Sequence, residues 1–212
     1  MTVHEHPNDL ELAALIASKI CHDVIGPVGA IYNGLEILAE DDSVDTQSYA
    51  LEVIRNVTEQ ASARLQFARF AFGASGSAGS TIDLNQAREI SDGYVKAIKH
   101  TLTWSGLAGQ MSKNRVKLLL NLIAMGVAAL PRGGEIAVEI DGTLEQPTFR
   151  LTCTGKGARE PSFLNTLLAG EAHDVIDSMS VQAYYTWRLS TAAGMTIAIS
   201  SPDDGVVQLT AE

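Results

Sequence analysis

Two long stretches of helical hydrophobic periodicity fill the first third of the chain. The first runs from Asp9 to Ala39 and the second from about Gln47 to Phe72, with a short polar run from Asp41 to Ser43 between them. A connection this short predicts that the two helices form an antiparallel hairpin. Each amphipathic helix must cover its apolar stripe, so this pair constrains the fold more than any other feature.

The second helix carries more apolar surface than one partner helix can cover. Its apolar residues follow three-four spacing that is broken only by Thr58, and further apolar side chains widen the surface. A homodimeric four-helix bundle would bury this excess. The residues predicted to form the dimer contacts are Leu51, Ile54, Leu65 and Phe72.

A run rich in glycine and serine, from Gly73 to Ser80, follows the hairpin and has the composition of a linker. Beyond it, helices are predicted at 85–99, 113–130, 162–169 and 181–193, and strands at 135–141, 148–153, 195–200 and 206–210. Helices interrupted by neighbouring antiparallel strands indicate an α+β layer. The predicted divisions are a flexible N-terminus at 1–8, the hairpin at 9–74, a linker at 75–81 and an α+β domain at 82–212.

Charge and cysteine content exclude several function classes. Twenty-five acidic against fifteen basic residues give a net charge of −10, which argues against a nucleic acid or an anionic membrane as partner. Cys21 and Cys153 provide neither a disulfide framework nor a zinc site, so no metal is expected. The apolar stretch 116–130 is shorter than the ~20 residues of a membrane span, and no signal peptide is apparent. We therefore expect a cytoplasmic protein.

His22 lies opposite the apolar stripe of the first helix on a wheel of about 100° per residue. The stripe is Ala13, Ala17, Ile20, Val24, Val28, Ile31, Leu35 and Leu38. His22 is therefore expected to face solvent. The residues on its own side include Leu15, Ser18, Lys19, Gly26, Gly29, Asn33 and Glu36.

The helix around this histidine contains residues that helices disfavour. A glycine costs about 1 kcal/mol against alanine, and an interior proline such as Pro27 costs about 3 kcal/mol or more. Such residues gathered around one histidine indicate a functional site. The alternative is that the histidine is an ordinary surface residue and the glycines allow close helix packing. Periodicity alone leaves both interpretations open.

The run from His22 to Val28 resembles the H-box of histidine kinases, with an acid at +1, an apolar residue at +2, a proline at +5 and an apolar residue at +6. In that family the histidine lies on the first helix of a hairpin that dimerises as a four-helix bundle. The following segment is similar in layout to the kinase ATP-binding domain. The run from Leu118 to Gly126 resembles its N-box helix, and the run from Leu151 to Gly157 resembles its Asp-x-Gly-x-Gly loop.

The chemistry of nucleotide binding is missing from both runs. Met125 stands where the kinase family has its magnesium-contacting asparagine, and Cys153 stands where it has the aspartate that contacts adenine. A thioether and a thiol provide neither the oxygen ligands that magnesium prefers nor a strong hydrogen-bond acceptor. The resemblance therefore implies a degenerate ATPase-like α/β sandwich that uses no ATP and no cofactor.

An intact H-box combined with a lapsed nucleotide site resembles the histidine phosphotransferases of alphaproteobacterial phosphorelays. The resemblance runs from about Leu10 onward and includes 65–75, which is similar to the end of the family's second helix. It implies that His22 accepts a phosphoryl group from the receiver domain of a hybrid histidine kinase. The group then passes to response regulators such as CtrA or CpdR, and Mg²⁺ belongs to the receiver.

Other residues have roles that follow from their position relative to His22. Asp23 is expected to accept a hydrogen bond from the second ring nitrogen. If the hairpin turns near Ser43, Arg64 lies level with His22, where Arg64 and Lys19 would meet phosphate or an acidic receiver surface, or would be plain surface charges. The remaining predicted docking residues are Leu15, Ile25, Gly26, Gly29 and Asn33.

Two rival functions remain open. An ATP-dependent histidine kinase would label His22 from ATP alone, whereas a non-catalytic scaffold would bind receivers without carrying phosphate. A phosphatase is disfavoured because Gly26 stands at the position where kinase-family phosphatases usually carry threonine or asparagine.

Overall fold

The computed structural model describes residues 6–41, 43–73, 81–171 and 175–212. Helices α1 (Asp9–Glu40) and α2 (Val44–Ala71) form the predicted antiparallel hairpin. The Asn8 side chain accepts hydrogen bonds from the N–H groups of Leu10 and Glu11, and Glu11 accepts one from the N–H of Asn8. This reciprocal capping fixes where α1 begins. Between the helices, the N–H of Ser43 donates to the Asp41 carboxylate, while Asp42 lies outside the described residues.

The second part of the chain is a two-layer α/β sandwich. Its main sheet has the order β2-β4-β5-β7-β6, and a small antiparallel pair joins β1 to β3. The strands are β1 (Thr81–Asp83), β2 (Thr101–Gly106), β3 (Gln110–Ser112), β4 (Glu135–Gly142), β5 (Pro147–Thr154), β6 (Ile197–Ser200) and β7 (Val206–Ala211). The helices are α3 (Leu84–Ala97), α4 (Lys113–Ala129), α5 (Ser162–Leu168) and α6 (Val181–Ala193).

One face of the sheet supplies the core. In β4 and β5 every second side chain is buried, as the alternation in an antiparallel sheet with one solvated face requires. Helix α4 covers that face and is buried along almost its whole length, from Val116 to Gly126. The polar residues of the strands lie on the open face.

The predicted strand layout needs three corrections. Strands β1, β2 and β3 were not predicted, and β1 begins at Thr81, inside the predicted linker 75–81, whose other residues lie outside the described part of the chain. The sheet is also not purely antiparallel, since β2 pairs in parallel with β4. The parallel pairing arises because α4 carries the chain across the sheet between these strands.

Side chains of the second domain bind the C-terminal end of the hairpin. Asn121 Nδ2 donates to the carbonyl of Ala71 at 3.1 Å, and Lys117 Nζ donates to the carbonyl of Phe72 at 3.3 Å. The last carbonyls of a helix have no partner within it, so these two residues of α4 satisfy the end of α2. Gln182 Nε2 lies 3.4 Å from Asn121 Oδ1 and connects α6 to the same junction.

Helix α1 is the most apolar helix in the described residues by the criteria for a membrane span. An 18-residue window of α1 has a mean hydropathy of 1.4, and none of that window is buried. The apolar stretch 116–130 lies in the core instead. Length and composition alone are weak evidence for a membrane span, and α1 packs along α2.

Candidate phosphotransfer site

His22 lies near the middle of α1 with 64% of its side chain exposed. Its Nδ1 atom is 3.7 Å from Oδ1 of Asp23, which is longer than a hydrogen bond but close enough for electrostatic attraction. The carboxylate therefore faces one ring nitrogen. The other nitrogen, Nε2, is left for chemistry outside this pair.

Lys19 binds the other oxygen of the same carboxylate. Its Nζ atom forms an ion pair with Asp23 Oδ2, one helical turn along α1, and its side chain is only 17% exposed. The sequence predicts Lys19 as a receiver-docking residue on the outer face of α1. The structure instead places it against Asp23 on α1, with most of its side chain buried.

Arg64 lies level with Asp23, one residue from the predicted position. Its Nη1 atom donates to the backbone carbonyl of Asp23 at 2.9 Å. The guanidinium therefore points into the hairpin rather than out towards a partner, which corrects the predicted docking role. It lines a cavity of about 20 Å³, together with Ile20, Asp23, Val24, Phe67, Ala68, Phe72, Tyr94 and Gln182.

The second domain reaches this cavity through Tyr94 of α3. Its ring stacks on Phe67 of α2, with centroids 3.9 Å apart. Burial raises the pKa of Tyr94 to about 12, with a further rise from Asp23 and an opposing effect from Arg64. Sequence reasoning missed Tyr94 because only the packing of α3 on α2 brings it here.

The glycines of α1 differ in the space around them. A Cβ atom added at Gly34 would lie 2.6 Å from Cγ1 of Ile54, so Gly34 allows α1 and α2 to approach closely. A Cβ at Gly26 or Gly29 would meet nothing within 4 Å. Close packing within the protomer therefore explains Gly34 and leaves the two glycines beside His22 without a packing role.

The other predicted docking residues include both exposed and half-buried side chains. Ile25 and Asn33 are exposed beside the glycines. Leu15 is half-buried and packs against the core, so its prediction as an open docking residue is corrected.

The apolar stripe predicted on α1 divides between two faces. Ile20, Val24, Ile31 and Leu38 are half-buried, whereas Ala13, Ala17, Val28 and Leu35 are exposed. Cys21 is also exposed. On α2, Leu51 and Leu65 are exposed.

Two of the predicted dimer residues are engaged within the protomer. Ile54 lies against Gly34, and the ring of Phe72 lies 5.4 Å from that of Tyr185. Both side chains are half-buried, and their assignment to a dimer interface stays a prediction.

Comparison with known proteins identifies the family. A family model described as the histidine phosphotransferase C-terminal domain matches residues 84–205. The protein phosphotransferase ChpT of Brucella abortus (strain 2308) is 46% identical over 199 residues, covering 93% of this chain and 94% of that protein. The chain belongs to the histidine phosphotransferase family. It is therefore a histidine phosphotransferase of a phosphorelay, as the sequence resemblance implied.

Solved structures agree with the fold of this phosphotransferase. A bacterial phosphotransferase structure at 1.7 Å is 41% identical, with a TM-score of 0.91 and complete coverage of both chains. Full-length ShkA in complex with AMPPNP is 16% identical, with a TM-score of 0.46 over 92% of this chain and 44% of that one. The predicted layout, a helical hairpin followed by an α/β domain, is confirmed by the first of these structures.

The two positions that the sequence resemblance aligned with nucleotide-contacting residues of kinases are part of the core of this phosphotransferase. Met125 is buried on α4, and Cys153 is fully buried on β5. Burial raises the pKa of the Cys153 thiol to about 12. The described residues hold no group of three or more histidine, cysteine or acidic side chains arranged for a metal ion.

Proposed function

We propose that His22 is the residue that carries the phosphoryl group. It receives the group from the receiver aspartate of a hybrid histidine kinase and passes it to response regulators of the CtrA and CpdR type. The observation that carries this proposal is an exposed imidazole whose Nδ1 faces a carboxylate and whose helix is bare at Gly26 and Gly29.

The transfer is a reversible nucleophilic substitution at phosphorus. The lone pair of Nε2 attacks the aspartyl phosphate, the P–O bond to the receiver breaks, and the receiver keeps that electron pair as its carboxylate. The phosphorylated ring carries a positive charge with its proton on Nδ1. Asp23 stabilises this charge across 3.7 Å, and the reverse sequence on a second receiver completes the relay.

The receiver docks on the exposed side of α1 around the histidine. Ile25 supplies apolar contact area, and Asn33 supplies a polar group about one turn further along from Gly29. The two glycines allow the backbone of a partner to approach α1 closely, because no side chain projects there. Mg²⁺ is held by the receiver.

The protein acts as a homodimer. Val28 and Leu35 of α1 and Leu51 and Leu65 of α2 leave large apolar side chains exposed in the single chain. Leu51, Thr58 and Leu65 follow one another at heptad spacing, which is the repeat of a helix-packing seam. A second hairpin covers these faces and forms a four-helix bundle.

The phosphoryl group comes from a receiver and not from ATP. Buried Met125 and Cys153 offer no oxygen ligand at the two positions where kinases bind magnesium and adenine. The relay therefore operates in the cytoplasm between receivers and needs no cofactor of its own.

Phosphotransfer profiling of the full-length protein tests this proposal. Wild type is mixed with a panel of receivers that carry radiolabelled phosphate, or with labelled ATP alone. We expect label on His22 from receivers, none from ATP, and none in His22→Ala, which still binds receivers. His6→Ala is the control, since His6 is an exposed histidine outside the site.

Two results would contradict the proposal. Abundant labelling of wild type by ATP alone would favour an ATP-dependent histidine kinase. Full signalling by His22→Ala would favour a non-catalytic scaffold.

A further inference from the structure

Pro27 interrupts the hydrogen-bond ladder of α1 next to His22. In an α-helix the N–H of each residue donates to the carbonyl four residues earlier. Proline has no N–H, so the carbonyl of Asp23 receives no bond from residue 27. The helix nevertheless continues from Asp9 to Glu40. A partly buried carbonyl in this position needs another donor.

Arg64 supplies that donor from the opposite helix. Its Nη1 atom lies 2.9 Å from this same carbonyl, across the hairpin and 41 residues away in sequence. A charged donor forms a stronger bond than the missing backbone N–H would. The proline of the H-box and the arginine of α2 are thus two halves of one contact.

The surroundings hold the guanidinium in one place. The stacked rings of Phe67 and Tyr94 line the small cavity beside it, so both α2 and the second domain contribute to its walls. Arg64 Nε is buried and has no hydrogen-bond partner among the described residues. The bond to Asp23 is therefore important for compensating the burial of this charge.

We propose that Arg64 is a positioning residue for phosphotransfer, anchored on the carbonyl that Pro27 leaves free. By fixing the backbone at Asp23 it fixes the carboxylate that faces Nδ1 of His22, and so the direction in which Nε2 is presented. The inference rests on the proposed role of His22. It assigns Arg64 to the rate of transfer and not to the affinity for receivers.

A double-mutant cycle in the full-length protein tests this coupling. Pro27→Ala restores a backbone donor to the Asp23 carbonyl and uses a good helix former. In the Pro27→Ala background, the Asp23 carbonyl already accepts a hydrogen bond from the N–H of residue 27, so it depends less on Arg64. We expect Arg64→Met to slow single-turnover transfer from a labelled phosphoreceiver to His22 about tenfold in the wild-type background and less than about threefold in the Pro27→Ala background.

Affinity measurements and control variants separate positioning from docking and from misfolding. Receiver affinity should change less than about twofold in every variant of the cycle. Arg64→Lys keeps a charged donor and should recover part of the lost rate. Arg55→Met is the control on the same helix, because the Arg55 side chain is 81% exposed and distant from the cavity in the sequence of α2. Thermal melting of each variant checks that it is folded.

Two outcomes overturn the inference. Equal loss of rate in both backgrounds would mean that Arg64 does not depend on the carbonyl freed by Pro27. A loss that appears in receiver affinity would make Arg64 a docking residue. Failure of this inference is distinguishable from failure of the proposed function, since the latter shows no label on His22 even in wild type.

Discussion

Asp23 is shared between the two side chains that flank it on α1. Its Oδ1 atom lies 3.7 Å from Nδ1 of His22, and its Oδ2 atom pairs with Lys19 one turn earlier. Because Lys19 is mostly buried, it holds Oδ2 of the carboxylate, while Oδ1 is left facing the histidine. The acid at +1 of the H-box is therefore a fixed negative charge beside the ring and not a freely rotating surface group.

Neutralising this carboxylate should slow the chemistry more than it weakens binding. Asp23→Asn keeps the shape of the side chain but removes the charge that faces the phosphorylated ring. We expect single-turnover transfer to fall about tenfold, which corresponds to about 1.4 kcal/mol in the barrier. Glu40→Gln, an exposed carboxylate at the end of the same helix, should leave the rate unchanged. An unaltered rate in Asp23→Asn would show that the ring needs no neighbouring charge.

Alanine substitutions should distinguish the glycine of α1 that is packed against α2 from the glycines that face open space. Gly34→Ala pushes a methyl group to within 2.6 Å of Ile54 and should lower the melting temperature, at a cost of about 1–3 kcal/mol that exceeds the gain in helix propensity. Gly29→Ala enters open space and should stabilise the helix by up to about 1 kcal/mol. Thermal unfolding of both variants measures the contrast. A loss of stability at position 29 would reveal packing that involves a second chain.

A charge on the exposed apolar face of α2 should separate the proposed dimer into single chains. Leu51→Glu places a carboxylate where the four-helix bundle would bury a leucine. Burying an unpaired charge costs more free energy than the contacts of one leucine contribute to the interface, so the dimer should not form. We expect light scattering to report a monomer at micromolar concentration. Ser48→Glu on an exposed polar part of the same helix should remain dimeric. If Leu51→Glu still forms a dimer, the dimer interface does not include Leu51.

Asn121 should matter to stability although its position lies outside the phosphotransfer site. Asn121→Leu keeps the volume but leaves the Ala71 carbonyl at the end of α2 without its donor. We expect the free energy of unfolding in urea to fall by about 1–3 kcal/mol. Asn114→Leu, at an exposed position on the same helix, should change it by less than about 0.5 kcal/mol. Equal effects at both positions would argue against a stabilising role for the hydrogen bond between Asn121 and the Ala71 carbonyl.

The thiol of Cys153 should be inert in the folded protein. In a Cys21→Ser background it is the only thiol, and a thiol reagent should react with it only as fast as the protein unfolds. Because the folded-state pKa is raised from 9.0 to about 12, its contribution to stability is complete below pH 9 and is lost as the pH rises from 9 to 12. Urea unfolding at several pH values measures this loss, and Cys153→Ala should show a smaller one, because the raised pKa of Tyr94 gives its own loss as the pH rises from 10 to 12. Rapid labelling at neutral pH would contradict the burial.

Helix positions were predictable because they depend on local periodicity. The bounds of α6 agree with the prediction residue for residue, and α1 differs by one residue at its end. Strand β2 was missed because it is an edge strand whose parallel partner begins at Glu135, far along the chain. No local sequence pattern predicts a pairing between strands so far apart in the chain.

The site was predictable only where a single helix determines it. A wheel of α1 correctly exposes His22, Gly26 and Gly29, since these lie on one face. It could not show that Lys19 and Arg64 turn inward, because α1 contacts α2 on one side and leaves a second apolar face open on another. Tyr94 required the whole fold, in which α3 is brought against the hairpin.

The exposure of His22 has a consequence for how long a signal lasts. If His22 carries the phosphoryl group as proposed, the group is bound to a ring that is 64% exposed, next to bare helix at Gly26 and Gly29, and is accessible to water as well as to a receiver. The protein builds no shelter around it within the described residues. The lifetime of the stored group is then set by the hydrolysis of the phosphorus–nitrogen bond, and a receiver that arrives later than this finds an empty histidine.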